Sequence, residues 1–303
     1  MDVSVIIVNY NTKYLTADCV NSIIEFTKDI TYEIIIVDNA STDGSQSFIK
    51  NSFREIILLE SQINLGFGMA NNLGVEAATG QFVFFLNSDT ILIENSIKKL
   101  YDFFVKYELG LKIGVLGCLL VDPNLLVNGY GNVFPNSKDE ILKMASHIPV
   151  LGRAFSQPVR KEYPSHLEYF KIDYVIGADM FMKKDLFKEL QGFSKDFFMY
   201  YEESDIQKRI YNIGFSNYIY TGTKIIHLED GSGKVIKRYN NRKRIIVHKS
   251  RNIYLRKNDA QNFWKYSVMD FIITGMSFFN FKYSFKENRD YFTEVLSTLK
   301  TKI

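Results

Sequence analysis

The stretch Gln81–Thr90 reads QFVFFLNSDT, and it decides the class of fold. Its five consecutive apolar residues are bounded by a glycine and by a polar cluster. So short an apolar run is typical of a strand that is buried on both faces. Asn87 and Asp89 follow with one residue between them. Because residues i and i+2 of a strand point to the same side, both side chains are expected at the carboxyl edge of a sheet, where open α/β sheets bind ligands.

Two interpretations of Asn87 and Asp89 are open from this stretch alone. An amide oxygen beside a carboxylate suits a hard divalent cation that holds phosphates. Asn, Ser, Asp and Thr are also the residues that start helices, and Ile97, Leu100 and Phe103 follow at helical spacing.

Strand-like and helical patterns alternate through the first 121 residues. Buried strands are predicted at residues 3–8, 33–37, 56–59 and 113–121, and amphipathic helical patterns stand between them. This alternation is typical of an α/β fold with a doubly wound, mostly parallel sheet.

The later chain predicts a looser organisation. Residues 128–165 are punctuated by Gly and Pro, with a short helical patch near 141–145. This pattern favours an irregular loop that shapes a substrate pocket over an inert surface loop. Strand character returns at 173–182 and 218–228, with a helix at 206–212. We expect a catalytic domain at 1–233, with a donor half at about 1–122 and an acceptor half at about 123–233, and a helical appendage at 234–303.

Bulk properties narrow the class of protein. The net charge of +3 argues against a nucleic-acid partner. Cys19 and Cys118 lie far apart without metal-type spacing, which favours structural thiols in the reducing cytoplasm. The chain begins with a strand pattern rather than a signal peptide. Residues 266–281 are apolar but contain Asp270 and are short for a membrane span.

Asp38 ends the second predicted strand. An acid in this position of a nucleotide-binding sheet can accept hydrogen bonds from a base or a ribose, although Asp-Asn-Ala-Ser also suits an Asx turn. The turn around Gly66 lacks the spacing of a dinucleotide-binding loop, and no Walker lysine motif is present, so a dehydrogenase or P-loop enzyme is not favoured.

A second acidic cluster contains Glu202, Glu203 and Asp205. Acids at the start of a helix are stabilised by the helix dipole. Four aromatic residues between 197 and 201 could instead desolvate one carboxylate and make it a general base. His227 ends a strand-like run; it is either a structural residue or a ligand for a cation such as Mn²⁺.

The order of these motifs resembles glycosyltransferase family 2, and its bacterial rhamnosyltransferase-like branch in particular. The resemblance covers roughly residues 3–232. It is carried by VIIVNYN at 5–11, VDNASTDGS at 37–45, NLGF at 64–67, LNSD at 86–89, GA at 177–178, GF at 192–193, FMYYEESD at 198–205 and IH at 226–227.

The resemblance implies a GT-A fold, a UDP- or dTDP-linked sugar donor, a divalent metal (Mn²⁺ or Mg²⁺) and inversion at the anomeric carbon. It implies that Asp38 binds the nucleobase and that Asp89 and His227 bind the metal. The remaining donor-site residues that it implies are Asn9, Tyr10, Asn64, Gly66 and Asn87.

The acceptor side follows from the same resemblance. Gly177 and Ala178 would line the acceptor pocket, and Glu203 would be the general base, with Glu202 and Asp205 beside it. Two positions depart from the family pattern. Asn87 replaces the first acid of the metal motif, and Glu203 replaces an Asp at the base position, so Glu202 stays open as an alternative base.

The tail is basic and rich in aromatic residues. Residues 234–257 carry ten Lys and Arg and no acid, and such a segment followed by aromatic anchors suits an anionic membrane surface. The alternatives are packing on the catalytic domain or a homodimer contact. We therefore expect a cytoplasmic protein that lies peripherally on the inner face of the cytoplasmic membrane.

The function expected from the resemblance is an inverting hexosyltransferase in bacterial surface polysaccharide synthesis, with a glycan or lipid-linked acceptor. Two other functions stay open. A sugar-phosphate nucleotidyltransferase should show a Gly-rich, Arg-containing loop after the first strand, which residues 9–12 lack. A non-catalytic protein that binds a nucleotide sugar or a glycan would be distinguished by binding without turnover. The pattern does not identify the sugar.

Overall fold

The computed structural model describes residues 1–146, 163–228 and 241–300. These residues form two compact units. The first contains residues 1–133, 164–198 and 202–228, and the second contains residues 134–146, 163, 199–201 and 241–300. The expected domain boundary at residue 233 lies outside the described residues and stays a prediction.

The first unit is built on a mixed β-sheet, with helices on both faces. The strands of the described chain are β1 (Val3–Asn9), β2 (Tyr32–Asn39), β3 (Ile57–Ser61), β4 (Phe82–Asn87), β5 (Thr90–Leu92), β6 (Ile113–Val121), β7 (Val127–Gly129), β8 (Gly131–Asn132), β9 (Tyr169–Ile172), β10 (Tyr174–Val175), β11 (Asp179–Lys183) and β12 (Ser216–His227). The helices are α1 (Lys13–Phe26), α2 (Ser45–Ser52), α3 (Phe67–Ala77), α4 (Ser96–Leu111), α5 (Ser137–Ser146), α6 (Lys184–Glu189), α7 (Glu202–Asn212), α8 (Asn241–Asn258), α9 (Ala260–Met276) and α10 (Phe285–Lys300).

The strand order of the main sheet is β3-β2-β1-β4-β11-β6-β12-β5. Strands β3, β2, β1 and β4 are parallel, with Val5 opposite Ile34 on one side and Phe84 on the other. Strand β11 enters antiparallel between β4 and β6. The expected mostly parallel α/β sheet is therefore confirmed, and the carboxyl ends of β1, β2 and β4 meet at one edge.

Strand β4 explains why these runs are continuously apolar. Phe82 packs against Phe104 of α4, with ring centroids 5.0 Å apart, on one face of the sheet. Phe85 packs against Phe187 of α6 on the other, also at 5.0 Å. A strand that is covered on both faces needs apolar side chains at every position, because neither face meets water.

Both cysteine thiols are buried and unbonded to each other, as expected for structural thiols. Burial raises the pKa of Cys19 to about 12, so that the thiol stays protonated and packs as a small apolar group.

Three parts of the chain differ from their patterns in how far their helices and strands extend. In the expected irregular loop at 128–165, the short helical patch predicted near 141–145 is part of the longer, ten-residue helix α5, and the short strand β8 was not predicted; residues 147–162 lie outside the described residues. The expected strand at 173–182 is interrupted by a turn at Gly177 and Ala178, which separates β10 from β11. The expected pieces at 218–228 join into one strand, β12, with register shifts before Lys224.

The second unit is a group of helices with a polar interior. His248 Nε2 lies 2.7 Å from Asp270 Oδ1. Tyr266 Oη donates to Asn252 Oδ1 at 2.6 Å, and Arg251 Nε donates to Tyr266 Oη at 2.8 Å. Burial, with the nearby Arg251 charge, lowers the pKa of His248 to about 4. Within the described residues, no helix is long and apolar enough to cross a membrane.

Candidate active site

Asp89 lies in a two-residue turn between β4 and β5, and not in β4 itself. The expectation that strand alternation aligns it with Asn87 is therefore wrong. The helix-cap interpretation also fails, because α4 begins only at Ser96. The turn is held by Thr90 Oγ1, which donates to the carbonyl oxygen of Asn87 at 2.7 Å.

Asp89 and His227 lie together at this edge of the sheet. The end of β12 pairs antiparallel with β5, and this places His227 opposite Thr90. The backbone N–H of Leu228 donates to the carbonyl oxygen of Asp89 at 3.0 Å. As a result, Asp89 Oδ1 and His227 Nε2 are 3.4 Å apart, and both side chains are largely buried.

A carboxylate oxygen beside an imidazole nitrogen is a donor set that suits Mn²⁺ or a similar cation. Within the described residues, no group of three or more His, Cys, Asp or Glu is arranged to hold a metal. The pair by itself would supply two ligands of such an ion.

Asn9 and Asp38 are joined at the carboxyl ends of β1 and β2. Asn9 Nδ2 donates to Asp38 Oδ2 at 2.6 Å and to Ser41 Oγ at 3.0 Å. Asp38 Oδ1 accepts hydrogen bonds from the Ser41 backbone and from Gln46 Nε2. Asn9 and Asp38 have no exposed surface, and their hydrogen bonds hold together the loops that follow β1 and β2. The adjacent Tyr10 is the exposed group.

The turn at Asn64 and Gly66 is tied to β2 through Asn39. Asn39 Nδ2 donates to Asn64 Oδ1 at 3.1 Å, and its Oδ1 accepts from the Leu65 backbone at 2.8 Å. Gly66 has φ +79° and ψ 174°, a conformation that is essentially restricted to glycine. A Cβ at Gly66 would lie 1.9 Å from the carbonyl oxygen of Phe198.

Replacement of Gly66 with Ala is expected to lower the free energy of unfolding by about 3 kcal/mol, through backbone strain together with overpacking. Chemical denaturation measures this loss. Gly44→Ala is the matched control: Gly44 also has positive φ, at +81°, but a Cβ there meets no atom within 4 Å. Equal losses in the two variants would contradict the close contact at Gly66.

Gly177 lies against Glu203. A Cβ at Gly177 would be 3.5 Å from Glu203 Cβ and 3.6 Å from Phe67 Cε1. The pair is fixed by Gln207, one turn further along α7, whose amide donates to the Val175 carbonyl and accepts from the Val175 N–H, both at 2.8 Å. Gln207 had no role assigned from sequence, and its position one helical turn after Glu203 is the signal that could have indicated it.

The three acids of α7 have different surroundings. Glu203 is partly exposed, whereas Glu202 and Asp205 are almost fully buried. Asp205 Oδ2 accepts from Arg209 Nε at 3.0 Å, and the same guanidinium donates to the backbone carbonyls of Leu190 and Gly192. Asp205 therefore anchors the segment after α6, and this geometry does not favour the catalytic role expected for it.

Asp179 is a buried acid to which the sequence patterns assigned no role. It stands directly after Ala178, whose carbonyl oxygen accepts from the Asn87 backbone at 3.0 Å. Asp179 Oδ2 accepts from the Cys118 N–H at 2.7 Å, and Oδ1 has no hydrogen-bond partner within the described chain. Burial raises the pKa of Asp179 to about 8. A single acid in an otherwise apolar run is the signal that marks it.

Asp179→Asn is expected to stabilise the protein increasingly as pH rises from 5 to 8. The native carboxyl keeps a proton that the unfolded chain, with the ordinary pKa of 3.8, has released. Native stability from this group therefore falls by about 1.4 kcal/mol per pH unit across that window. Urea unfolding of both proteins at several pH values measures the difference, and a difference that stays constant with pH would contradict the assignment.

The profile of Glycosyl transferase family 2 matches residues 4–191. The poly(ribitol-phosphate) beta-glucosyltransferase of Bacillus spizizenii is 28% identical over 198 residues, covering 60% of this chain and 30% of that protein. The N-acetylglucosaminyl-diphospho-decaprenol L-rhamnosyltransferase of Mycobacterium tuberculosis (strain CDC 1551 / Oshkosh) is 24% identical over 212 residues, covering 64% and 66%. The chain thus spans less than two thirds of the length of either relative.

A solved structure has a similar fold. The mannosyltransferase PcManGT from Pyrobaculum calidifontis, in complex with GDP-Man and Mn²⁺, has a TM-score of 0.56 to this chain at 17% identity, covering 98% of this chain and 73% of that one. The first unit therefore has the GT-A fold of nucleotide-sugar-dependent transferases. Because the family profile matches more than half of its length, the chain belongs to glycosyltransferase family 2. The resemblance seen in the motifs is confirmed.

Proposed function

We propose that this chain is an inverting hexosyltransferase. In this proposal it moves a sugar from a nucleoside-diphosphate donor to a hydroxyl of a glycan or lipid-linked acceptor in bacterial surface polysaccharide synthesis. The observation that carries the proposal is the approach of Asp89 to His227 at the carboxyl edge of the sheet. The names of the two relatives support this reaction class, and one of them makes L-rhamnose a candidate sugar.

The donor would lie across the ends of β1, β2 and β4. Hydrogen bonds from Asn9 to Asp38 and Ser41 hold together the loops that follow β1 and β2. Tyr10, which is exposed in the first of these loops, is available to contact the nucleoside. Asn64 and Gly66 border the donor through the turn that Asn39 holds. Asp89 and His227 would hold Mn²⁺ or Mg²⁺, which when bound neutralises charge on the leaving diphosphate.

Glu203 would act as the general base. Its carboxylate takes the proton of the acceptor hydroxyl while that oxygen forms a bond to C1 of the donor. The bond from C1 to the diphosphate oxygen breaks, and its electron pair leaves with the nucleoside diphosphate. Attack from the side opposite to the leaving group inverts the configuration at C1 and needs no covalent intermediate.

The geometry favours Glu203 over its neighbours as the base. It is partly exposed, unlike the other two acids of the cluster, and it faces Gly177, where the lack of a side chain leaves room for an acceptor. Asp205 is committed to Arg209, and Glu202 is almost fully buried. Ala178, next to Gly177, would line the same acceptor pocket.

A thermal-shift screen of nucleotide sugars tests donor binding. A ligand present at 100 times its Kd adds about 2.7 kcal/mol to the free energy of unfolding, so the correct donor should raise the melting temperature clearly, and more so with Mn²⁺. If no nucleotide sugar raises it, the proposal fails. Binding of a donor without transfer to any acceptor would favour a non-catalytic binding protein.

A further inference from the structure

Helix α9 of the second unit buries a polar side and exposes a mostly apolar one, which is the reverse of an ordinary surface helix. Its buried side carries the polar residues Tyr266, Asp270 and Thr274, which recur every four residues. Its exposed side is mostly apolar: beside Gln261 and Lys265 it carries Trp264, Val268, Phe271, Ile272 and Met276. A helix that packs only within a soluble unit shows the reverse pattern.

The apolar surface continues beyond the end of α9. The 3₁₀ turn Ser277–Phe279 follows directly, and Phe279 is 77% exposed. Phe281 is 94% exposed and Phe285, at the start of α10, is 71% exposed. These three residues and the five exposed apolar residues of α9 are called the α9 apolar face below.

The second unit uses only part of the α9 apolar face for its own packing: the Phe271 ring lies 6.3 Å from that of Phe292, and the Phe285 ring lies 5.7 Å from that of Phe278. The buried side of α9 is held by hydrogen bonds, with Asp270 bonded to His248 and Asn252, and Tyr266 bonded to Asn252. Contiguous exposed apolar surface on a soluble protein marks a site for a partner or a membrane.

Charge indicates which partner fits. Residues 241–300 contain twelve Lys and Arg against five Asp and Glu, although the whole chain has a net charge of only +3. Lys265, Lys282 and Lys286 are exposed within or beside the α9 apolar face. Contact between two copies would bring these like charges together. Anionic lipid headgroups complement them, and Trp and Phe are side chains that anchor proteins at a bilayer surface.

We infer that the α9 apolar face docks onto an anionic lipid surface. The helix lies in the plane of the interface, with its aromatic side chains among the acyl chains and its lysines at the headgroups. This inference does not depend on the proposed enzymatic function, because it concerns only the second unit and its surface.

Trp264 is the only tryptophan of the chain, so it reports directly on this contact. The experiment adds vesicles of phosphatidylcholine, with or without phosphatidylglycerol, to the full chain. With phosphatidylglycerol present, the emission of Trp264 should shift to shorter wavelength, and a quencher carried on the lipid chains should reduce it. The shift should weaken with added salt, because the headgroup attraction is screened. If neither vesicle changes the emission, the inference is wrong.

A pair of matched variants tests the residues. Phe271→Gln with Phe281→Gln keeps Trp264 and should weaken vesicle binding roughly tenfold or more. Ile63→Gln with Leu109→Gln, two exposed apolar positions of the first unit, should leave binding unchanged. Circular dichroism verifies that both variants are folded. Equal binding by both variants would overturn the inference. A shift that appears on raising protein concentration without vesicles, and is lost in Phe271→Gln/Phe281→Gln, would assign the face to a second copy and overturn it too.

Discussion

Replacement of Glu203 with Gln is expected to lower kcat for sugar transfer by roughly 10²- to 10⁴-fold, which is the usual contribution of a positioned general base. The amide has nearly the size of the carboxylate but cannot accept the proton of the acceptor hydroxyl. The Kd of the donor should stay unchanged, because the base acts on the acceptor. Release of nucleoside diphosphate in the presence of acceptor measures kcat, and thermal shift measures donor binding.

Glu202→Gln is the matched control for this substitution. Glu202 is only 3% exposed, so its replacement should change stability more than kcat. Full activity of Glu203→Gln together with loss of activity in Glu202→Gln would transfer the role of base to Glu202. Full activity of both variants would rule out general-base catalysis by Glu202 or Glu203.

Replacement of Asp89 with Asn is expected to lower transfer by about 10³-fold, since a metal supplies several kcal/mol of charge stabilisation to a leaving group. The substitution keeps the size of the side chain, and the backbone bond from Leu228 to the Asp89 carbonyl is unaffected. The melting temperature of the protein gives a readout that does not need turnover. In the wild-type protein with bound nucleoside diphosphate, Mn²⁺ should raise this temperature further. This rise should disappear in the variant.

Asn87→Ala provides the comparison for Asp89→Asn. Asn87 contributes backbone bonds to the turn, which the substitution retains, and its side chain has at most an indirect contact with the metal in the proposed site. The loss in transfer should therefore be clearly smaller than that of Asp89→Asn. An Mn²⁺-dependent rise that persists in Asp89→Asn would contradict the metal assignment.

The main elements of the first unit could be predicted from sequence because burial on two faces leaves a plain signal. Strands β1, β2, β4 and β6 are apolar runs that end in polar clusters, and in the structure their ends lie no more than three residues from the predicted bounds. The edge at which Asn9, Asp38 and Asp89 meet follows from parallel pairing of these strands.

Contacts between distant parts of the chain were not visible in local patterns. The antiparallel pairing of β12 with β5 brings His227 to Asp89, and only the resemblance to a family indicated it beforehand. Asp89 was expected in a strand but lies in a turn, because β4 ends at Asn87. Asp38 was expected to bind the nucleobase, and this role stays a prediction; in the structure its buried carboxylate accepts hydrogen bonds from Asn9, Ser41 and Gln46. Side-chain bonding of this kind depends on neighbours that a single sequence does not reveal.

The second unit shows a related difference. The basic and aromatic tail predicted helices near a membrane surface, and the helices are present in the described residues. Their polar interior was not predicted, because helical periodicity alone indicates which residues share a face but not which face is buried. The identities of the sugar donor and the acceptor likewise cannot be inferred from local sequence patterns.

The stereochemistry of transfer tests the central claim most directly. The purified chain is incubated with Mn²⁺, the nucleotide sugar selected by thermal shift and a broad panel of glycoside acceptors, and the anomeric configuration of the product is followed by NMR. We expect release of nucleoside diphosphate coupled to a product inverted at C1, with both lost in Glu203→Gln. A product of retained configuration, or donor binding without any release of nucleoside diphosphate, would contradict it.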